Sequence, residues 1–238
     1  MQILIISDIH GNFPALAAVA AHPAAASCTL ILNCGDSTVY APFADQVLAW
    51  LHDHDAISIL GNTDRKVLKL LKGKSFRKPR KPEKRIMYED TANHLAWQGR
   101  VYLQGLKKKK KLKLAGHRIG LYHGSPPDHD EFLFADTPED RFLELAAATD
   151  CDIIITGHSH SPYHRLTGGV HFINPGSVGR MFDGNPDASF AILDLEPDRI
   201  MVRHFRTPYD IGQVVAGLER HGLPPLYATM YRLGRKLN

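Results

Sequence analysis

Five short polar clusters in this chain carry the residue types that bind divalent metals. In order they are Asp8-Ile9-His10, Gly35-Asp36, Gly61-Asn62-Thr63-Asp64, His123-Gly124 and Gly157-His158-Ser159-His160. Imidazole nitrogen with carboxylate or amide oxygen, and no thiolate, suits Mn²⁺, Fe²⁺, Zn²⁺ or Ni²⁺, with Mn²⁺ favoured. So many imidazoles argue against Mg²⁺ or Ca²⁺, which prefer oxygen. The i, i+2 spacing of Asp8/His10 and of His158/His160 would, in extended backbone, turn both side chains to one side, where they can grip one ion or two adjacent ions. Glycines at 35, 61, 124 and 157 allow tight turns and close backbone approach beside them. Singly these clusters mean little, since Gly-Asp is usually a turn and Asn62 or Asp64 could simply cap a following helix. Five of them, each after an apolar run, are not an accident of composition.

Those runs are the elements that must position the clusters. Apolar strands are predicted at 2–7, 29–33, 56–60, 112–114, 118–122, 152–156, 170–173, 189–195 and 199–205. Asn12 can cap a first helix, with Pro14 in its first turn and Pro23 as its stop. Further helices are expected near 43–52, at 65–71, at 141–148 behind Thr137 and Pro138, and from Asp210 to near Gly222. Residues 72–85, basic and holding Pro79 and Pro82, read as a loop. A βαβαβ first half favours a parallel layer, and a strand-rich second half favours antiparallel pairing. In open α/β sheets the carboxyl ends of parallel strands converge on one crevice, so the five clusters can meet there.

The order D-x-H, G-D, G-N, strand-end H-G and G-H-x-H resembles the calcineurin-like metallophosphoesterase superfamily, from Asp8 to His160. The later segment from Asn174 to Arg180, NPGSVGR, resembles one common in its small prokaryotic phosphodiesterases. The resemblance implies an α/β sandwich of two central mixed β-sheets flanked by helices. It implies one metal held by Asp8, His10, Asp36 and His160, and another by Asp36, Asn62, His123 and His158, with Asp36 bridging. Two such cations can bring a bridging water's pKa from about 15.7 toward neutrality for attack on phosphorus, and Asn62 can also donate an N–H to the substrate's phosphoryl oxygen. Where the family often has a histidine that protonates the leaving oxygen, this chain has Thr63, and the catalytic acid is therefore unassigned. Asp64, which would orient that histidine, loses its clearest catalytic role, and His129 and His164 lie near the ligand motifs in sequence as candidate substitutes. A positioned general acid is typically worth about 10²–10⁴-fold, so substrates with less basic leaving groups, phosphodiesters above all, are expected.

With 238 residues and 44% hydrophobic content, one domain spanning 1–238 is expected. The start has no basic region before a short apolar run, which excludes a signal peptide or membrane span there. Three scattered cysteines without a CxxC point to a reducing, cytoplasmic setting. Charge is uneven: residues 65–118 hold 19 of the 29 Lys and Arg but only 3 of the 25 Asp and Glu. The part at 72–118 matches nothing in the motif pattern and stands as a basic insert. It is either a solvated hairpin and loop or a positive rim that steers an anionic substrate. The partner is thus a small phosphorylated or nucleotide substrate, with nucleic acid open through the insert, no membrane, and a homo-oligomer open. Alternatives to a phosphodiesterase are a nucleotide phosphatase, a dinucleoside polyphosphate hydrolase, a nuclease, or a metal-bearing binding protein without activity.

Overall fold

The first strand, β1 (Gln2–Ile6), is buried on both faces, as a central strand covered on each side must be. Alternation along the strand sends Ile3 and Ile5 to one apolar layer and Leu4 and Ile6 to another. The computed structural model describes all 238 residues. After β1 come α1 (Phe13–Ala21), α2 (Pro23–Ala26), β2 (Leu30–Asn33), α3 (Ala44–Asp53), β3 (Ile57–Ser58), α4 (Asn62–Leu71), α5 (Pro82–His94) and α6 (Trp97–Gly105). The second half holds β4 (Lys109–Leu114), β5 (His117–Tyr122), α7 (Glu139–Ala147), β6 (Ile153–Ile155), β7 (Tyr163–Thr167), β8 (Val170–Asn174), β9 (Ala188–Glu196), β10 (Arg199–Thr207), α8 (Ile211–Arg220) and α9 (Pro225–Leu233).

Two mixed five-stranded sheets form the centre, ordered β10-β9-β1-β2-β3 and β4-β5-β6-β8-β7. Between them Ile3, Ile5, Leu32 and Cys34 meet Ile119, Leu121, Ile153, Ile155 and Ile173. Each such aliphatic side chain contributes about 1.5–3 kcal/mol relative to exposure. The outer face of the first sheet packs on α1, α3, α5, α8 and α9 through Leu16, Leu48, Tyr88, Leu218 and Tyr227. The outer face of the second packs Ile154 and Phe172 against Phe142 and Leu145 of α7. This is the expected α/β sandwich.

Several expectations need correction. The second half is not simply antiparallel, because β5, β6 and β8 run parallel in a sheet of their own. The expected loop at 72–85 already contains the start of α5, whose Pro82 fills the first helical position and whose few apolar residues (Met87, Tyr88, Ala92) sit among charges that mask their helical spacing. The basic segment 72–118 is only in part a solvated hairpin and loop: β4 and β5 form the hairpin, but α5 and α6 precede it and share the large apolar cluster through Met87, Tyr88, Leu95 and Leu103. The helix α9 was also unforeseen, because Pro224-Pro225 looks like a stop and is instead its start. Pro23 likewise opens the short α2 rather than only ending α1. The edge strand β7 lacks an apolar run and forms by pairing antiparallel with β8. The two-residue β3 is shorter than its apolar run because Ile59 leaves the ladder to bridge Lys107.

Candidate metal centre

All five clusters stand just past the carboxyl ends of the parallel strands β1, β2, β3, β5 and β6. Their backbone is not extended. Asp8, His10, Asp36, His158 and His160 all have positive φ, between 52° and 65°. That left-handed conformation costs a non-glycine residue roughly 1–2 kcal/mol, and such strain persists only where surrounding structure over-determines it. Backbone bonds supply the constraint: Asp8 N–H donates to Gly35 O (2.9 Å) and His10 N–H to Asp36 O (2.9 Å), sewing the first two clusters together. Two glycines let the loops touch. A Cβ on Gly61 would lie 2.0 Å from Asp36 Oδ1, and one on Gly157 would lie 1.9 Å from Ser7 Oγ.

The side chains fall into two buried groups, Asp8/His10/His160 and Asp36/His123/His158. In the first, His10 Nε2 lies 3.2 Å from His160 Nε2, and His160 Nε2 lies 3.3 Å from Asp8 Oδ1. The other nitrogen of each ring donates to a backbone carbonyl: His10 Nδ1 to Thr38 O (3.3 Å), and His160 Nδ1 to Arg180 O. That fixes the tautomer and leaves two bare Nε2 lone pairs facing each other. Asp8 Oδ2 accepts from Ser7 Oγ (2.6 Å) and from the His158 N–H (2.9 Å), while its Oδ1 is buried without any partner. In the second group His123 donates from Nδ1 to Cys34 O (2.8 Å), and its buried Nε2 also lacks a hydrogen bond. Asp36 Oδ2 lies 3.4 Å from His123 Nε2 and 3.9 Å from His10 Nε2, so one carboxylate oxygen faces both groups. His158 differs, bonding through Nε2 to Asp130 O (3.1 Å) and leaving Nδ1 on its other side.

Orphaned buried acceptors cost about 1–3 kcal/mol each, and opposed lone pairs add repulsion. A cation at each group relieves both. Burial pushes His10 down to about 3 and His158 to about 4, so both rings are neutral and able to ligate near pH 7. For Asp8, burial alone would raise the carboxyl, but the neighbouring imidazoles of His160 and then His123 override it and hold it at about 2. His123 shows the converse. Burial would lower it, yet the negative charge of Asp36, 3.4 Å away, lifts it to about 9, so a metal there must displace a proton. The donor set fits a pair of divalent transition metals.

Asn62 opens α4 and lines the same cavity, of about 310 Å³, as His10, Asp36, His158 and His160; His123 lies buried beneath it. Thr63 lines the cavity too, but its hydroxyl donates to Thr38 O (3.2 Å) and its N–H to Asp36 Oδ1 (2.7 Å). Asp64 is fully buried, accepting from the N–H groups of Gly61, Ser37 and Thr38 and from Thr38 Oγ at 2.7–3.3 Å. It caps α4 and holds the Asp36 loop. His129 sits against His123 with ring centroids 5.4 Å apart, whereas His164 pairs with His171 on the β7–β8 hairpin, away from the centre. Other cavity walls carried no signal in the sequence. Phe132 stacks on His158 (4.0 Å between centroids) and Phe182 on His160 (4.5 Å), and Lys84, Arg180 and Lys236 complete the rim. Of these, Arg180 lies in the NPGSVGR segment and Lys84 in the basic insert that the sequence had singled out.

No helix is long and apolar enough to cross a membrane. The sequence matches the calcineurin-like phosphoesterase superfamily domain over residues 1–198. It is 28% identical to an uncharacterized protein of Methanocaldococcus jannaschii, the alignment covering 98% of each. It is also 28% identical to phosphodiesterase YfcE of Escherichia coli, over 82% of this chain and 88% of that one. Among solved structures, a metallophosphoesterase from Sphaerobacter thermophilus superposes with a TM-score of 0.81 at 27% identity, covering 98% and 99% of the two chains. A hypothetical protein from Pyrococcus horikoshii, at 18% identity, shares the fold with a TM-score of 0.86 over 99% of both. With two buried His/Asp groups at the strand ends and that match across most of its length, the chain belongs to the calcineurin-like phosphoesterase superfamily, metal-dependent hydrolases of phosphoric esters.

Proposed function

We propose that this hydrolase is a phosphodiesterase of small substrates, working in the cytoplasm as one domain over residues 1–238. Asp8, His10, Asp36 and His160 would hold one divalent transition metal, and Asp36, Asn62, His123 and His158 a second, drawn from Mn²⁺, Fe²⁺, Zn²⁺ and Ni²⁺. The observation that carries the reading is the pair of buried, partnerless atoms, Asp8 Oδ1 and His123 Nε2, one in each group. When bound, the metals supply Lewis acidity that activates water and offsets charge on the phosphoryl oxygens.

The chain's own residues do the rest. Backbone carbonyls of Thr38, Cys34 and Arg180 hold the three imidazoles with Nε2 inward. Asn62, neutral and on the cavity wall, can donate an amide N–H to a phosphoryl oxygen. Phe132 and Phe182, stacked on His158 and His160, limit water around the reacting group. Neither the threonine in the family's acid position nor the nearby His129 stands ready to protonate a leaving oxygen. The Thr63 hydroxyl is committed to Thr38 O, and burial, then the charge on His123, pushes His129 down to about 4, leaving it a neutral imidazole near pH 7. A diester with a modestly basic leaving group suits that inventory better than a monoester of an alkyl alcohol. The phosphodiesterase relative is consistent with this preference.

The test is hydrolysis of bis-p-nitrophenyl phosphate beside p-nitrophenyl phosphate, with Mn²⁺, with chelator, and in Asp36→Asn. Diester turnover that exceeds monoester turnover and vanishes with chelator and in the variant is expected. Equal or greater monoester turnover would overturn the diester preference, and turnover that survives the chelator would overturn the metal assignment.

A further inference from the structure

Arg180 is 7% exposed, yet its guanidinium has no carboxylate partner. Its one side-chain hydrogen bond is a weak contact with Met230 Sδ at 3.9 Å. The charge lies instead on aromatic faces, 3.7 Å from the Tyr40 ring centroid and 5.2 Å from that of Phe182. Cation–π contact compensates only part of the cost of desolvating an unpaired cation. Lys84 and Lys236 line the same cavity and are also unpaired by any Asp or Glu within 4.0 Å. Burial, then repulsion from Lys236 and Arg180, lowers the Lys84 pKa, so the three charges press on one another. Three cations converging on one cavity without a counter-ion describe a site whose counter-ion is a ligand.

The position of this group relative to the metal-type histidines is set by shared rings. Tyr40, which carries Arg180, lies 5.1 Å from the His10 ring, and Phe182, beneath Arg180 and 6.0 Å from Lys236 Nζ, stacks on His160. Arg180 and Lys236 are thus one aromatic ring away from the centre, and Lys84 lines the same cavity. The carboxylates there cannot neutralise them, since Asp8 and Asp36 face imidazoles, and bound metals add positive charge. Beyond Tyr40, Lys84 and Tyr88 the cavity continues into a cleft walled by Lys66, Lys78 and Arg80.

We propose that Arg180, Lys84 and Lys236 form an anion subsite for a second, terminal phosphate of the substrate, while the phosphodiester to be cleaved sits at the metal centre. The inference rests on the phosphodiesterase reading and adds a substrate class, small phosphodiesters that also bear a phosphomonoester. A terminal phosphate, close to a dianion at neutral pH, matches three unpaired cations better than the single charge of another diester link.

Two chromogenic substrates differ by that one group: thymidine 5′-(p-nitrophenyl phosphate) and the same compound phosphorylated at the 3′ oxygen. On the metal-loaded enzyme the 3′-phosphorylated compound is expected to show a KM lower by about tenfold, one good charge-assisted contact. The ratio of the two KM values should fall to about twofold or less in Lys84→Ala/Lys236→Ala. It should be unaltered in Lys108→Ala/Lys109→Ala/Lys110→Ala, which removes equal or greater charge elsewhere. Because a ratio is read, a general loss of activity cancels. Calorimetric titration with thymidine 3′,5′-bisphosphate and thymidine 5′-phosphate should give the same preference without turnover. Equal KM and Kd values, a ratio unchanged in the double variant, or an equal fall in the triple variant would each overturn the subsite. Lack of preference alongside active cleavage of bis-p-nitrophenyl phosphate removes the subsite alone; inactivity toward that diester removes the reading beneath it.

Discussion

The two most densely charged regions of the molecule, the centre at the strand ends and the lysine row of β4, behave in opposite ways. At the centre Asp8 and Asp36 are at most 2% exposed, and each of the six His and Asp side chains of the two groups is oriented by at least one neighbour. On β4, Lys109, Lys110, Lys111 and Lys113 all point into solvent, and of these only Lys111 has a carboxylate partner, Asp150. The strand lies at the edge of the second sheet, where a lysine row discourages pairing with another chain. Charge in water is screened and interchangeable, whereas charge in a dry, strained pocket is fixed to one geometry and to one use.

The contrast is sharpest at Asp36. Asp36→Asn removes the carboxylate that faces both His10 and His123, and its amide would set a donor against an imidazole. A loss of about 10³-fold or more in kcat/KM for bis-p-nitrophenyl phosphate is expected, together with weaker metal binding in calorimetry. A loss under tenfold would move the centre elsewhere.

Backbone packing offers the next largest difference. Gly157→Ala would press a methyl group to 1.9 Å from Ser7 Oγ and 2.7 Å from Asp8 Oδ2, with no side chain free to yield. About 1–3 kcal/mol of destabilisation is expected in a denaturant titration, with activity falling as well. Gly116→Ala, in the β4–β5 turn, has a positive φ of 89° but open space around the new atom. It should lose only about 1 kcal/mol, all of it from conformation, and leave activity intact. Equal effects on activity would mean that loop contact at Gly157 does not set the metal site.

What could be seen in advance follows from the same contrast. The six His and Asp residues that the structure gathers into two groups were legible because each follows a strand and because these residue types together suit metal chemistry. Their left-handed backbone was not, since local sequence favours no such conformation for Asp or His strongly enough; long-range bonds such as His10 N–H to Asp36 O impose it. The cavity cations were illegible for another reason. Lys84, Arg180 and Lys236 are separated by 96 and 56 positions and meet only because α5, the NPGSVGR segment and the tail after α9 pack around Tyr40, Tyr88 and Tyr227. The basic insert reads as one positive rim, yet of its lysines only Lys84 lines the cavity of the centre, while Lys109 to Lys111 border a different groove.

Thr63 tests whether every cavity residue matters alike. Its hydroxyl donates to Thr38 O, the carbonyl that also receives His10 Nδ1, so its part is to steady that carbonyl. Thr63→Ala should reduce diester turnover by about threefold, measured as kcat with saturating Mn²⁺, because the Thr63 N–H to Asp36 survives. A loss in the range of about 10²–10⁴-fold, typical of removing a general acid, would show that the hydroxyl reaches the substrate after all.

The smallest effect belongs to the lysine row. Lys107 and Lys109 to Lys111 border a different groove from the one that holds the centre, beside Tyr102 and His52 under the edge of β3. Their charges act on a small substrate only through water, where one unit charge is attenuated within a Debye length of about 8 Å at physiological ionic strength. Lys108→Ala/Lys109→Ala/Lys110→Ala should therefore alter KM for bis-p-nitrophenyl phosphate by less than about twofold and stability by less than about 0.5 kcal/mol. A larger KM change that disappears in high salt would mean that the edge strand steers substrate from a distance. The boundary between the two regions would then be one of degree, with the long-range field of β4 adding to the contact charges of Lys84, Arg180 and Lys236.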